Sequence, residues 1–287
     1  MTTHTTVGLA QVTAILDSEG PFFLPLSEVF ASVGDDIGRR ATVIDPPPAS
    51  TAPETWWLAF RVYVVEADDR VALVDTGAAS DTDLRPFWAP VRRHLSQRLT
   101  DEMGLEPDRV TDVVLTHLHR DHAAGSIDEH GRPAFPNAIY HLQARELEAI
   151  DRAESGDLWS PLLDPLAAAG QLEIWDGNGR LASSGDTQLD LTCTPGHTPG
   201  HQSLFVSHLD ELLVLAGDVF THAAQLIDPY TRYLFDDDAV RAGQSRSSLL
   251  DRFRSTPGRL GTAHLGVPFM ALPSDVDHPL PSPDTKG

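Results

Sequence analysis

The residues with the clearest chemical meaning lie in one short segment, 116–122, which reads THLHRDH. Its three histidines and one aspartate, His117, His119, Asp121 and His122, fall within six positions. A single helix or strand cannot point all four side chains in one direction, so we expect a loop that wraps around an ion. Imidazole and carboxylate ligands suit zinc and similar transition metals, and the segment therefore predicts a metal site.

Further candidate ligands lie later in the chain, each directly after a predicted strand. His197 lies in TPGHTPGH, Asp218 lies in AGDV, and His264 lies in TAHLG. A catalytic zinc ion takes three protein ligands and keeps one position open, so a site needs ligands from more than one segment. Because α/β proteins place their sites where strand ends converge, we expect these segments to meet at one sheet edge.

The rest of the sequence predicts the elements that must position these residues. Strands are predicted at 7–16, 58–65, 71–74, 110–115, 139–142, 189–192, 203–206, 212–215 and 260–263. Helices are predicted from Pro86 to Met103, from Gln143, and over 238–253, and loops at 20–26 and 45–53. This mixture predicts one α/β domain over residues 1–272, followed by a proline-rich C-terminal tail, 273–287.

Composition restricts the partners. The chain has 287 residues, with 21 Lys and Arg against 42 Asp and Glu, so its formal net charge is −21. Such acidity opposes binding to nucleic acid and to anionic membrane surfaces, although it also serves solubility. The start of the chain does not resemble a signal peptide and no apolar run is long enough to span a membrane, so a cytoplasmic protein is expected. The sequence leaves open whether the protein forms a homodimer.

The order of the motifs resembles the metallo-β-lactamase superfamily. The chain shows DTG at 75–77, HLHRDH at 117–122, TPGHTPGH at 194–201, GD at 217–218 and the late His264. The resemblance covers the chain from about residue 58 to about residue 266. It implies an α/β fold, a four-layer αββα sandwich, with the site at the edge where the loops of the two sheets meet.

The same resemblance implies two divalent metal ions, expected to be Zn²⁺, and a role for each ligand. His117, His119 and His197 would hold one ion, Asp121, His122 and His264 the other, and Asp218 would bridge them. Asp75 would orient the histidine loop from behind. The implied enzyme is a binuclear hydrolase in which a metal-bound hydroxide attacks a lactone or another carboxylic ester, with Asp121 as proton shuttle.

The substrate is expected to be a small, neutral or apolar ester, and two branches of the superfamily compete for it. The stretch TPGHTPGHQSLF resembles the acyl-homoserine lactonases, but Thr221 stands where those enzymes carry a tyrosine three residues after the bridging aspartate. The stretch 217–229 resembles the methyl-parathion-hydrolase branch, whose members hydrolyse aryl phosphotriesters. A single-iron dioxygenase of the same fold is an alternative from another class of enzyme. The complete set of ligands for a second ion argues against it.

Candidate pocket residues are aromatic or lie beside the ligands. Phe22, Phe23, Trp56, Trp57 and Trp159 fall in or near predicted loops, and Thr221 and His222 follow Asp218. Ordinary packing beneath loops is the alternative for each of them. His201 is expected to form local hydrogen bonds, and the single cysteine, Cys193, allows no disulfide within the chain.

Overall fold

The computed structural model describes residues 2–30, 33–52, 54–78, 94–152 and 156–272. Seven strands form the first sheet in the order in which they follow along the chain. They are β1 (Thr2–Val7), β2 (Ala10–Pro25), β3 (Thr55–Ala67), β4 (Arg70–Val74), β5 (Asp112–Val114), β6 (Ile139–Gln143) and β7 (Leu172–Trp175). β1 to β4 pair antiparallel, and β4 to β7 pair parallel.

The second sheet has six strands in the order β13-β12-β11-β10-β9-β8. They are β8 (Gly179–Ser184), β9 (Thr187–Cys193), β10 (Gln202–His208), β11 (Glu211–Leu215), β12 (Gly258–Gly261) and β13 (Met270–Leu272). β11 and β12 pair parallel and the other neighbours pair antiparallel, so β9, β11 and β12 all run in one direction.

Helices cover the outer face of each sheet. They are α1 (Leu26–Val29), α2 (Asp35–Ile44), α3 (Leu95–Met103), α4 (Arg120–Ala123), α5 (Ala144–Arg152), α6 (Gly156–Ala168), α7 (Ala224–Ile227) and α8 (Ala239–Ser255). α3, α5 and α6 pack on the first sheet, and α2, α7 and α8 pack on the second. In the described part of the chain, no helix has the length and apolar character needed to cross a membrane.

The two sheets pack face to face over a buried aliphatic core. Val65, Val74 and Val114 of the first sheet meet Leu191 and Leu204 of the second, all at 2% exposure or less. With a helical layer on each side, the architecture is the expected αββα sandwich. Its carboxyl strand ends lie together, because β4 and β5 are parallel in one sheet and β9, β11 and β12 run together in the other. The segments with the candidate ligands follow these ends.

Several element predictions need correction. Residues 7–16 are not one strand, because the chain turns at Gly8 and Leu9 to pair β1 with β2. Residues 20–25 are not a loop; they continue β2, which pairs with β3 through register shifts that accommodate its prolines. The strands β7, β8 and β13 were not predicted. α3 ends at Gly104 as predicted, with φ 66°, whereas residues 79–93 and the tail 273–287 lie outside the described residues.

Candidate metal centre

The histidine loop follows β5 and turns at once into the short helix α4. His119 occupies the N-cap position of α4, so His117 precedes the helix while Asp121 and His122 lie within it. This change of backbone direction sends the side chains of the loop towards two places. His117 and His119 group with His197 and Asp218, and Asp121 and His122 group with His264. The ligand atoms within each group lie within 4.8 Å of one another.

In the first group, three imidazole nitrogens face each other. Nδ1 of His119 lies 2.9 Å from Nε2 of His117 and 3.0 Å from Nε2 of His197. The hydroxyl of Thr116 donates to Asp75, and its oxygen therefore accepts from Nδ1 of His117 at 3.0 Å. Nε2 of His117 is then left as a lone-pair donor that points into the group. Converging lone pairs of this kind suit a cation that lies between them.

The second group has the same arrangement. Nδ1 of His122 donates to Asp75 Oδ2 at 2.7 Å, and Nδ1 of His264 donates to the carbonyl oxygen of Ala59 at 2.8 Å. Both residues therefore turn Nε2 inward. Nε2 of His122 is buried, lies 3.3 Å from Asp121 Oδ2, and has no hydrogen-bond partner among the residues described. This group, too, has the donor chemistry of a metal site.

Asp218 lies between the two groups. Its Oδ2 is 3.3 Å from Nε2 of His197, whereas its Oδ1 is 3.1 Å from Nε2 of His264 and 3.2 Å from Nε2 of His122. Oδ1 is buried and forms no hydrogen bond within the described residues. Each oxygen of this carboxylate therefore faces a different set of imidazoles.

Burial and neighbouring charges set the protonation of the cluster. Burial and the adjacent histidines hold the pKa of His117 well below its ordinary value and lower the pKa of His119 to about 3. Burial would also lower the pKa of His122, but Asp218, Asp121 and Asp75 outweigh it and raise that pKa well above its ordinary value. His117 and His119 are thus neutral and ready to bind a cation, whereas His122 would release a proton when a cation binds.

Asp75 supports the histidine loop from behind. Its carboxylate accepts from the backbone N–H of Thr116 at 2.8 Å and from Nδ1 of His122 at 2.7 Å. The residue has φ 64°, in the left-handed region that short polar side chains tolerate best. Its backbone strain accompanies an orienting role, as is common beside functional sites.

Glu146, on α5, joins two ligand segments, and the sequence analysis missed it. Its Oε1 accepts from the backbone N–H of Leu118 at 2.9 Å. Its Oε2 accepts from the hydroxyl of Thr198 at 2.8 Å and from the backbone N–H of Gly200 at 2.9 Å. One buried carboxylate therefore connects the segment of His117 and His119 to the segment of His197.

Close backbone approaches explain two features of the motifs. Gly217 has φ 49°, and a Cβ there would lie 2.8 Å from Thr116 Oγ1 and 2.9 Å from His201 Nε2. A glycine is therefore required before Asp218. His201 accepts from the backbone N–H of Asp218 and bonds to Thr194 Oγ1, so it forms local hydrogen bonds as expected.

A cavity of about 500 Å³ opens over the cluster. Apolar side chains and carboxylates share its described lining: Phe22, Phe23, Leu58, Phe60, Tyr233, Leu234 and Phe235, together with Arg120, Asp121, Asp218, Asp236, Asp237 and the imidazoles of His119, His197 and His264. Phe22 and Phe23 are in the wall. The cavity combines an apolar wall with the metal-ligand cluster.

The other predicted pocket residues do not line this cavity. Trp56, Trp57 and His222 line a separate cavity of about 600 Å³ beside the proline-rich segment 46–48. Thr221 is fully buried, and its backbone N–H donates to Gln225. Trp159 packs against the helix-covered core of the first sheet. In β3 the alternate residues Trp56, Leu58 and Phe60 share one face, and Trp56 lies beyond the end of the cavity beneath Tyr233.

The comparisons with known proteins agree with this geometry. Residues 61–264 match the Metallo-beta-lactamase superfamily. The chain belongs to this superfamily, and its two groups of His and Asp candidate ligands lie within the matched residues.

Two relatives are informative. A probable metallo-hydrolase of Mycobacterium tuberculosis is 29% identical over 191 residues, which are 59% of this chain and 59% of that protein. The chain therefore spans about three-fifths of the length of that relative. The N-acyl homoserine lactonase AiiA of Bacillus thuringiensis subsp. kurstaki is 29% identical over 196 residues, which are 63% of this chain and 68% of the lactonase.

Solved structures show the same fold. AidC, a dizinc quorum-quenching lactonase, matches with a TM-score of 0.72 and 21% identity, covering 95% of this chain and 97% of AidC. A probable metal-dependent hydrolase from Staphylococcus aureus matches with a TM-score of 0.76 and 18% identity, covering 94% and 95%. At these identities the likeness concerns the fold.

Proposed function

We propose that this protein is a binuclear metal-dependent hydrolase that acts on lactones and other neutral carboxylic esters. His117, His119 and His197 would hold one divalent ion, and Asp121, His122 and His264 would hold the second. The observation that carries the proposal is the position of Asp218, whose two oxygens face the two groups separately. We propose that it bridges two ions. The candidate ligands are imidazoles and carboxylates, and this donor set favours zinc.

Two bound ions would supply a water of lowered pKa and Lewis acidity towards a substrate oxygen. The side chains of the chain provide the remaining functions. Asp75 fixes the tautomer and orientation of His122, and Ala59 fixes those of His264, so the donor atoms are preorganised. Burial raises the pKa of Asp121, but His122 and His264 outweigh it and hold that pKa below its ordinary value. Asp121 is therefore an ionised cavity carboxylate that can accept a proton and return it to the leaving oxygen.

The cavity wall favours neutral substrates with an apolar part. Leu58, Phe60 and Phe22 offer apolar contacts, whereas Asp237 lines the same space with a carboxylate. This carboxylate, together with the net charge of −21, repels anionic substrates such as phosphate monoesters. The names of the matched lactonases support lactones within the neutral ester class.

Aryl phosphotriesters are the second candidate substrate class. The aromatic rings of Phe22, Phe23 and Phe235 meet at the cavity rim, with centroid separations of 4.3–6.2 Å, and they could hold an aryl group. Attack on a phosphotriester must displace its leaving group in line and accommodate three substituents, whereas a planar lactone carbonyl needs less space. We therefore place lactones ahead of phosphotriesters.

The test combines metal content with a substrate panel. Protein purified without added metal or chelator should contain close to two equivalents of divalent metal by elemental analysis. The specificity constant kcat/KM should then be compared for an acyl-homoserine lactone, an aromatic lactone, an aryl ester, a thioester and an aryl phosphotriester under one condition. A phosphotriester that leads by about tenfold, or a thioester that exceeds all others, would contradict the lactonase proposal. One equivalent of iron would instead support the dioxygenase alternative.

A further inference from the structure

Tyr233 places a phenol in the cavity wall beside the metal-ligand cluster. Its ring is nearly parallel to the imidazole of His197, with a centroid separation of 5.8 Å and an interplanar angle of 23°. It stacks in the same way on Phe30 at 5.2 Å and packs edge-on against Trp56 at 5.8 Å. The side chain is 8% exposed and lines the cavity together with Asp218 and His264. The ring is therefore fixed by packing, with little freedom to turn away.

The hydroxyl of Tyr233 has no hydrogen-bond partner among the residues that the structure describes. The hydroxyl oxygen does not belong to the buried polar atoms that lack a partner, so it is open to the cavity. An acceptor from a ligand in the cavity would satisfy this donor.

Most other polar groups of the described wall cannot take this part. The imidazoles of His197 and His264 direct Nδ1 outward, towards Asp236 and Ala59, and their inner nitrogens belong to the ligand groups. The carboxylates accept hydrogen bonds but, when ionised, cannot donate them. Arg120 donates, but it also brings a formal charge. Tyr233 is thus a neutral donor in the described wall, and it belongs to neither ligand group.

The substrate class proposed above offers mainly acceptors. The ester group of a lactone has two oxygens and no donor, so a donor in the wall is needed to orient it. We propose that the Tyr233 hydroxyl donates a hydrogen bond to the carbonyl oxygen of a carboxylic ester substrate and keeps that bond as negative charge develops on the oxygen. This assignment rests on the proposed ester hydrolase function. The phenol keeps its proton throughout, so no covalent bond to Tyr233 forms or breaks.

A buried arginine fixes the loop that carries Tyr233. Arg246 of α8 is fully buried; its Nε donates to the carbonyl oxygen of Val219 at 2.7 Å and its Nη1 to that of Thr231 at 3.1 Å. Its Nη2 pairs with Asp236 at 2.7 Å. Arg246 thus holds the chain two residues before and three residues after Tyr233. A donor held in this way needs no reorganisation during reaction, and this property makes oxyanion-stabilising groups effective.

The test uses Tyr233→Phe, which keeps the ring and its packing and removes the donor. Tyr230→Phe is the matched control, because Tyr230 lies in the same loop and is 54% exposed. With metal-loaded protein, Tyr233→Phe should lower kcat for the best lactone by about a hundredfold to a thousandfold, since the loss of one oxyanion donor has effects of this order. Metal content should not change, and Tyr230→Phe should match the parent protein.

A second measurement separates this inference from the proposed function. Calorimetry with a lactam, whose ring amide keeps the carbonyl oxygen and resists hydrolysis, should show binding to the parent protein that is about fivefold weaker in Tyr233→Phe. Active parent protein with unchanged kcat and unchanged lactam affinity in Tyr233→Phe overturns the role of Tyr233 and leaves the hydrolase proposal intact. Lactam binding that depends on Tyr233 supports its role even if the parent protein hydrolyses no ester. Absence of both lactam binding and ester hydrolysis in the parent protein overturns both proposals.

Discussion

Asp236 lies behind the imidazole of His197, with its Oδ1 3.4 Å from Nδ1 of the histidine. Its other oxygen pairs with Arg246 at 2.7 Å, and both side chains are fully buried. The carboxylate of Asp236 thus lies between Arg246 of α8 and the imidazole of His197, whose Nε2 faces the first ligand group. Carboxylates behind metal-binding histidines fix the ring and raise its basicity. At the proposed metal site, Asp236 would accordingly position His197.

Asp236→Asn should weaken metal binding at the first ligand group. The amide lacks the negative charge that faces Nδ1 of His197 and that pairs with Arg246, so the imidazole is held less firmly. Loss of such a partner lowers metal affinity by about tenfold to a hundredfold. Competition with a chromophoric chelator gives the affinity of each ion. Asp237→Asn, which removes the same charge one residue later, is the control; equal losses in both variants would show a general charge effect instead.

Asp218→Ala should loosen both ions and remove most of the activity. At the proposed binuclear site this carboxylate would offset the charge of both cations, and without it the cations would repel each other. Elemental analysis after dialysis should show well under two equivalents. Asp210→Ala removes one charge from the exposed turn at the other end of β11 and should keep both ions. Full occupancy with normal turnover in Asp218→Ala would exclude a bridging role.

Glu146→Ala should destabilise the protein and weaken metal binding together. The substitution leaves the backbone N–H groups of Leu118 and Gly200, and the hydroxyl of Thr198, without their acceptor. Each buried unsatisfied donor costs about 1–3 kcal/mol, so we expect a loss of about 3 kcal/mol or more in the free energy of unfolding. Urea unfolding measures it. Glu148→Ala, on the exposed side of α5, should change stability far less; a similar loss there would point to the helix and not to the bonds of Glu146.

The ligand segments could be predicted from sequence because their information is local. The HLHRDH loop is dense in metal-binding residues, and His197, Asp218 and His264 each follow a strand of the second sheet. β7 and β8 could not be predicted in this way, because their residues are partly exposed and show no clear alternation.

The residues that support and complete the site carry no such local signal. Glu146 lies on a helix whose sequence suggests a solvated surface, and it becomes functional only where α5 meets two ligand loops. Asp236 and Tyr233 lie in a segment without helical or strand periodicity, whose path is set by the distant Arg246. Tertiary contacts of this kind cannot be read from spacing along the chain.

His222 gives a prediction about pH that is independent of the metal ligands. Its ring packs against Phe30 with a centroid separation of 4.9 Å, and burial lowers its pKa to about 4, against 6.5 when it is free. Between these values the unfolded chain binds a proton that the folded chain does not, so stability falls as the pH falls through this window. The effect amounts to about 2 kcal/mol at pH 5 and about 3 kcal/mol once the pH is below 4.

His222→Asn should remove this dependence. The asparagine side chain keeps an acceptor for the backbone N–H of Ala224, which donates to Nδ1 of His222 at 3.2 Å, but it does not titrate. The free energy of unfolding should be measured with urea for both proteins at about pH 8 and about pH 5, and the difference between them compared at the two values. Because loss of metal in acid affects both proteins, it cancels in this comparison. The free energy of unfolding of the variant should rise by about 2 kcal/mol relative to that of the parent protein between pH 8 and pH 5.

The variant should also keep its metal content at pH 8, since His222 lies in the second cavity and outside both ligand groups. A difference that stays constant with pH would show that His222 is protonated as easily in the folded protein as in the unfolded chain.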